Sequence, residues 1–166
     1  MIVGDLVAGD SVFVDSNILI YHFGPHPTLA ASCSQLVQRI ENLEIHGFTS
    51  SHVLGEVVHQ LIIMEASKRP GWTTGNVKRR LQKQRGILGT LSLFRSALES
   101  VLQSQIRLLP LLPPVLGSAP VICQQYDLLI NDALIVALME ANGLTKIASH
   151  DMDFDRVHGI TRYAPQ

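Results

Sequence analysis

Along the chain, short apolar runs alternate with apolar stripes at helical spacing. Ser11 to Val14 is a β-branched and aromatic run and predicts a first strand. After Pro25 and Pro27, the residues Leu29, Cys33, Leu36, Val37, Ile40 and Leu43 recur at helical spacing, with Thr28 placed to cap the start. Gly47 to Ser50 predicts a second strand. Ser50 or Ser51 then caps a helix whose stripe is Val53, Leu54, Val57, Val58, Leu61 and Ile62. Lys68 to Thr74, with Pro70, Gly71 and Trp72, reads as a loop. A basic helix near Val77 to Arg85 follows, and then one with the stripe Phe94, Leu98, Val101, Leu102 and Ile106. Leu108 to Leu112 predicts a third strand, and Pro113, Pro114, Gly117 and Pro120 mark a turn into a short helix ending near Tyr126. Asn131 is expected to cap a nearly continuous apolar helix from Ala133 to Met139, one that must be covered on all sides. Ile147 to Ser149 predicts a fourth strand, and Thr161 to Tyr163 an edge strand. Such switching between the two periods predicts an α/β fold with a mostly parallel sheet.

Composition narrows the class. The chain has 166 residues, is 46% hydrophobic and carries a formal net charge of −1, which suits one domain spanning 1–166 with a sizeable core. The first sixteen residues hold no Lys or Arg but include Asp5 and Asp10, unlike a signal peptide. No apolar run approaches the roughly 20 residues that span a bilayer. Cys33 and Cys123 both fall on expected helices, so they read as reduced, packed thiols of a cytoplasmic protein, and no Cys/His spacing suggests zinc.

Four acids stand at the ends of the expected elements. Asp15 closes the first strand, Glu56 lies in a helix, Asp132 follows the expected Asn131 cap, and Asp151 follows the fourth strand. In an open parallel sheet, ligands bind at the carboxyl ends of the strands, so Asp15 and Asp151 should project from one edge. Asp132, in a first helical turn, can point into the same crevice. Glu56 falls off its helix's apolar stripe, beside His52, His59 and Gln60, on a polar side that can face that crevice. Acids embedded in apolar segments are costly to bury without positive compensation, and a hard divalent cation is the usual compensation. The pattern reads as a metal-dependent phosphodiesterase.

The segments Asp15-Ser16-Asn17-Ile18-Leu19-Ile20-Tyr21 and Tyr126 to Val157, with Asp132-Ala133 and Asp151-Met152-Asp153-Phe154-Asp155, together with the shorter Ser50 to Glu56 pattern, resemble the PIN-domain ribonucleases. The resemblance spans residues 12 to 163. It implies a three-layer α/β/α fold with a short, mostly parallel central sheet, and an endoribonuclease that uses one or two Mg²⁺ or Mn²⁺ ions. By the same resemblance Asp15 and Asp132 are the first-choice metal ligands, Asp151 is the ligand of a second ion, and Glu56 is a ligand or orients the attacking water. Asp153 is a fifth acid on the same loop, and the sequence does not choose between it and Asp151. Ser16, Asn17 and Ser149 read equally as donors to these acids and as turn or cap residues. Small PIN proteins also resemble the toxin half of a toxin–antitoxin pair, which implies an antitoxin partner and a homodimer.

Eight of the thirteen Lys and Arg residues, namely Lys68, Arg69, Lys78, Arg79, Arg80, Lys83, Arg85 and Arg95, fall in the stretch 68 to 95, which has no Asp or Glu. This arm suits RNA phosphates, with Trp72 free to stack on an unpaired base; it equally suits a solvated face or the docking of an acidic partner. The seven histidines form no catalytic cluster, and His150, next to Asp151, is the one of interest. Three other readings compete. An Asp-dependent phosphatase of the haloacid dehalogenase type wants a second Asp two residues after the first, where this chain has Asn17. A receiver domain wants a Lys at the end of a late strand, whereas Lys146 begins one. A catalytically inactive PIN-like module binding RNA or protein is favoured if one of the four acids points away from the rest.

Overall fold

The computed structural model describes all residues, 1–166. Five parallel strands, β1 (Ser11–Val14), β2 (His46–Ser50), β3 (Arg107–Leu109), β4 (Lys146–Ala148) and β5 (Thr161–Tyr163), lie in the order β3-β2-β1-β4-β5. The chain therefore builds outward from β1 through β2 to β3, then crosses to the other side of β1 for β4. The topological switch point falls between the carboxyl ends of β1 and β4, where a doubly wound sheet opens a crevice.

Seven helices cover the sheet: α1 (Ser16–Phe23), α2 (Ala30–Glu41), α3 (Ser51–Ser67), α4 (Val77–Lys83), α5 (Leu93–Gln103), α6 (Pro113–Tyr126) and α7 (Ile130–Ala141). Strand alternation divides the core in two. Val12 and Val14 of β1 join one cluster with Ile18 and Leu19 of α1, Leu36 and Ile40 of α2 and Leu61 of α3. Phe13, between them in sequence, faces the opposite way into a cluster with α6, α7 and Ile147. The result is the expected three-layer α/β/α architecture. Residues Ala133 to Met139 are all buried, which accounts for a helix apolar on every side. No single helix is long and apolar enough to cross a membrane.

Several local expectations are corrected. Ser16–Phe23 forms a helix where periodicity assigns none, with Asp15 as its cap. Thr28 does not cap α2: Leu29 occupies that place, and its backbone N–H donates to His26 Nδ1 at 3.1 Å. The third strand ends at Leu109, and Pro113 begins α6 instead of marking a turn. Pro113 and Pro114 sit in the first turn, where a missing N–H costs nothing, and Pro120 is carried inside the helix. Asn131 is not a cap either, since α7 starts at Ile130 and Asp132 lies in its first turn. At α3 the cap is Ser50, whose Oγ accepts from Val53 N. Both cysteines are free, and burial pushes the Cys33 thiol up to about 11, well away from thiolate chemistry.

Gly47 of β2 has a packing role. A Cβ added there would stand 2.7 and 2.8 Å from the Cδ1 and Cγ2 of Ile40, which is fully buried. Gly47→Ala is expected to cost about 1–3 kcal/mol by overpacking, read as a lower urea midpoint. An unchanged midpoint would show that α2 yields freely against the sheet.

Candidate metal centre

The site grows from the switch point. Asp15 leaves β1 buried, 5% exposed, and its backbone N–H donates to Ala148 O of β4. The carboxylate is held on both oxygens: Oδ1 accepts from Ser16 N at 2.6 Å, and Oδ2 accepts from Asn17 Nδ2 at 2.5 Å and Ser149 Oγ at 2.6 Å. Asn17 Oδ1 accepts from His150 N, and Ser149 Oγ accepts from Asp151 N, each at 3.0 Å. The loops after β1 and β4 are thereby stitched into one unit. Ser16 and Asn17 open α1 and Ser149 follows β4, and all three donate to Asp15, Ser16 through its backbone N–H. Asn17 spends its amide on this bridge, which leaves no second nucleophilic acid for a dehalogenase-type phosphatase.

Asp132, Asp151 and Asp153 each place a carboxylate oxygen within 4.8 Å of the others. Asp151 caps the short 3₁₀ turn Met152–Arg156 by accepting from Asp153 N, and Asp153 is bound by Arg156 Nη2 at 2.6 Å. Asp15 and Glu56 lie outside this tight trio, yet their charges reach it. Asp132 is pushed up to about 6, first by burial and then by the charges of Asp151, Asp15, Asp153 and Glu56. Asp15 is also pushed up to about 6 by burial, against the hydrogen bonds from Ser149 and Ser16, and the charge of Glu56 adds to the rise. All five acids therefore share one electrostatic neighbourhood. The donor set is oxygen only, and Arg156 neutralises one carboxylate of the five, which fits a hard divalent cation.

Sequence reasoning passed over two neighbours. His52, one turn before Glu56, is half-buried; its Nδ1 shares a hydrogen bond with Ser50 Oγ at 2.9 Å and its Nε2 has no partner. Burial outweighs the nearby backbone of Asn131 and the charge of Glu56 and holds its pKa below the ordinary value. Arg156 is the other, and the Asp153-to-Arg156 spacing of three was the signal available for it. His150 is exposed, with its ring edge toward Tyr21, and contributes through its backbone.

The raised Asp15 has a consequence for stability. With a folded pKa of about 6 against an ordinary 3.8, its contribution is complete below about pH 4 and is lost as pH rises toward 6, on the order of 3 kcal/mol in total. His22 and His52, both pushed down by burial, act in the opposite direction, so a difference measurement is needed. In EDTA, the urea stability of the native protein relative to Asp15→Asn should fall between about pH 4 and 6 and level off above. A difference independent of pH would contradict an uncompensated buried Asp15.

Residues 12–160 match the family model described as PIN domain. Ribonuclease VapC2 of Methanocaldococcus jannaschii is 32% identical over 148 residues, covering 89% of each chain. Among solved structures, Mycobacterium tuberculosis VapC20, a sarcin–ricin loop cleaving toxin, superposes with a TM-score of 0.60 at 18% identity, covering 87% of this chain and 92% of the other. A toxin–antitoxin complex from Klebsiella pneumoniae gives a TM-score of 0.54 at 18% identity, covering 90% and 95%. With the switch-point acids in their order and a family match over nearly the whole chain, the protein belongs to the PIN-domain family.

Proposed function

We propose that this protein is a Mg²⁺- or Mn²⁺-dependent endoribonuclease of the VapC type, acting as the toxin of a toxin–antitoxin pair. The observation that carries the reading is the trio Asp132, Asp151 and Asp153, with carboxylate oxygens within 4.8 Å of one another, set where the charges of Asp15 and Glu56 are also felt and where Arg156 is the one cation bound to any of these acids. The name of the archaeal relative, a ribonuclease, supports the reaction class. An antitoxin partner is supported by the Klebsiella complex, and a cytoplasmic homodimer completes the proposal.

Asp15, Asp132 and Asp151 would hold the metal, with Asp153 kept beside them by Arg156. When bound, a divalent cation supplies charge neutralisation for the phosphate and lowers the pKa of water. The chain's own residues do the rest. Ser149 and Asn17 fix the orientation of the Asp15 carboxylate, so no rotamer search precedes binding. Asp132 sits in the first turn of α7, where the helix dipole favours its ionised form and opposes the burial that raises its pKa. Glu56 orients the attacking water by accepting its hydrogen bond.

Purified protein should cleave single-stranded RNA with Mg²⁺ or Mn²⁺ and stop when EDTA is added. Ser149→Ala should lower kcat about 10–100-fold by releasing Asp15, and Asp15→Asn or Asp132→Asn should lower it by more than about 100-fold. All three are expected to keep the native circular dichroism spectrum. Undiminished cleavage by both Asp→Asn variants would assign the activity to another site or a contaminant.

A further inference from the structure

The eight cations of the stretch 68 to 95 have no carboxylate partners. Every ion pair in the protein uses Arg39, Lys146, Arg156 or Arg162, all outside the stretch. Eight unpaired like charges repel, and the chain nevertheless holds them in a defined shape. The base of the excursion is closed twice: Arg69 donates to Thr90 Oγ1, and the Glu65 carboxylate accepts from Ser92 N at 3.1 Å and Leu93 N at 2.9 Å. A small core of Ile63, Ala66, Val77 and Leu91 docks α4 on the later half of α3.

Trp72 is part of this construction. It packs against that small core, and its ring lies under two guanidiniums, with Arg69 Cζ at 5.9 Å and Arg80 Cζ at 5.6 Å from its centroid. The ring therefore holds the arginines, a structural role beside the base stacking that the sequence suggested. Between α3 and α4 runs an open groove of about 340 Å³, floored by the apolar Ile62, Ile63, Leu81 and Leu88 and edged by His59, Lys78 and Gln82. His59 is one turn beyond Glu56 on the same side of α3. The arm is thus packed on the same helix that carries Glu56. From Glu56 to Lys68 the helix rises roughly 18 Å, a span of a few nucleotides.

We propose that the stretch 68 to 95 is an RNA-backbone clamp. Arg69, Lys78 and Arg80 bind phosphates flanking the scissile bond, and Trp72 is a positioning residue that holds Arg69 and Arg80 in place. The proposal rests on the ribonuclease reading and extends it to how substrate is gripped. Charge complementarity is the argument for the occupant. The net charge is −1 and the catalytic crevice is acidic, so a polyanion is attracted by this arm and by little else. Guanidiniums preset by an aromatic ring suit phosphate forks, and the arm that carries them packs on α3, the helix of Glu56.

Binding of a fluorescein-labelled twelve-nucleotide oligouridylate to the full chain in EDTA, read by anisotropy across a salt series, tests the clamp without cleavage. Each of Lys78→Ala and Arg80→Ala should reduce the slope of log K against log salt by about 0.7. Trp72→Ala should reduce it by about 1.4, equal to losing Arg69 and Arg80 together, and Trp72→Phe should restore it. Since Trp72→Ala can unfold the arm, the Lys78→Ala/Arg80→Ala double variant decides independently. An unchanged slope in that variant overturns the clamp. So does an unchanged slope joined to weakened binding of a poly-glutamate peptide, which would assign the arm to an acidic protein partner. Cleavage with Mg²⁺, assayed separately on the native protein, keeps the two readings apart: cleavage with unchanged slopes overturns the clamp alone, and no cleavage overturns the ribonuclease reading.

Discussion

An unpaired carboxylate at the dry end of a parallel sheet is the constraint on which this structure turns. Asp15 is 5% exposed, receives hydrogen bonds from Ser16, Asn17 and Ser149, and has no cationic partner. Hydrogen bonds alone do not offset the desolvation, since the carboxyl remains at about 6. The strand order makes this position unavoidable: β1 is central, its neighbours β2 and β4 pair with it on either side, and its carboxyl end is where the crossover reverses. A group held there at a cost, and stitched to the loop after β4, is poised for a positive ligand.

The acids around it behave as one system. Asp132 feels four other carboxylates, and the chain relieves one of them with Arg156. The positive charge that could have relieved the rest has been placed elsewhere, on the arm packed along α3, where all eight cations lack carboxylate partners. Separating acids and bases in this way lowers the stability of the empty protein and leaves both surfaces available to ligands of opposite sign.

Much of this was legible in the sequence. The first strand is a β-branched and aromatic run and the others are short runs between polar breaks, so their positions came within a few residues, and the all-apolar run Ala133 to Met139 announced a helix sandwiched in the fold. What failed were local signals overridden by context. Residues 16–23 are too evenly apolar to show a stripe, so α1 was invisible to periodicity. The prolines at 113 and 114 start a helix as readily as they end one, and Asn131 was taken for a cap two residues too late because Leu129 supplies no side-chain signal. In the site, the order of the acids was readable because Asp15, Asp132 and Asp151 lie at the ends of elements, with Glu56 inside α3 on a side away from its apolar stripe. The tightness of Asp132, Asp151 and Asp153 was not, since it depends on how α7 crosses the loop after β4. Nor could the sequence show that Trp72 is engaged by Arg69 and Arg80, which are three residues before it and eight after it.

The central claim is that raised, uncompensated carboxylates form a site for a divalent cation. Calorimetric titration of Mn²⁺ into the protein, in two buffers of different ionisation enthalpy, measures it directly through the protons released on binding. Near pH 6, where Asp15 and Asp132 are each partly protonated, binding should release on the order of one proton per protein, and near pH 8 the release should fall toward zero. Absence of Mn²⁺ binding, or binding with the same proton release at both pH values, would contradict the account.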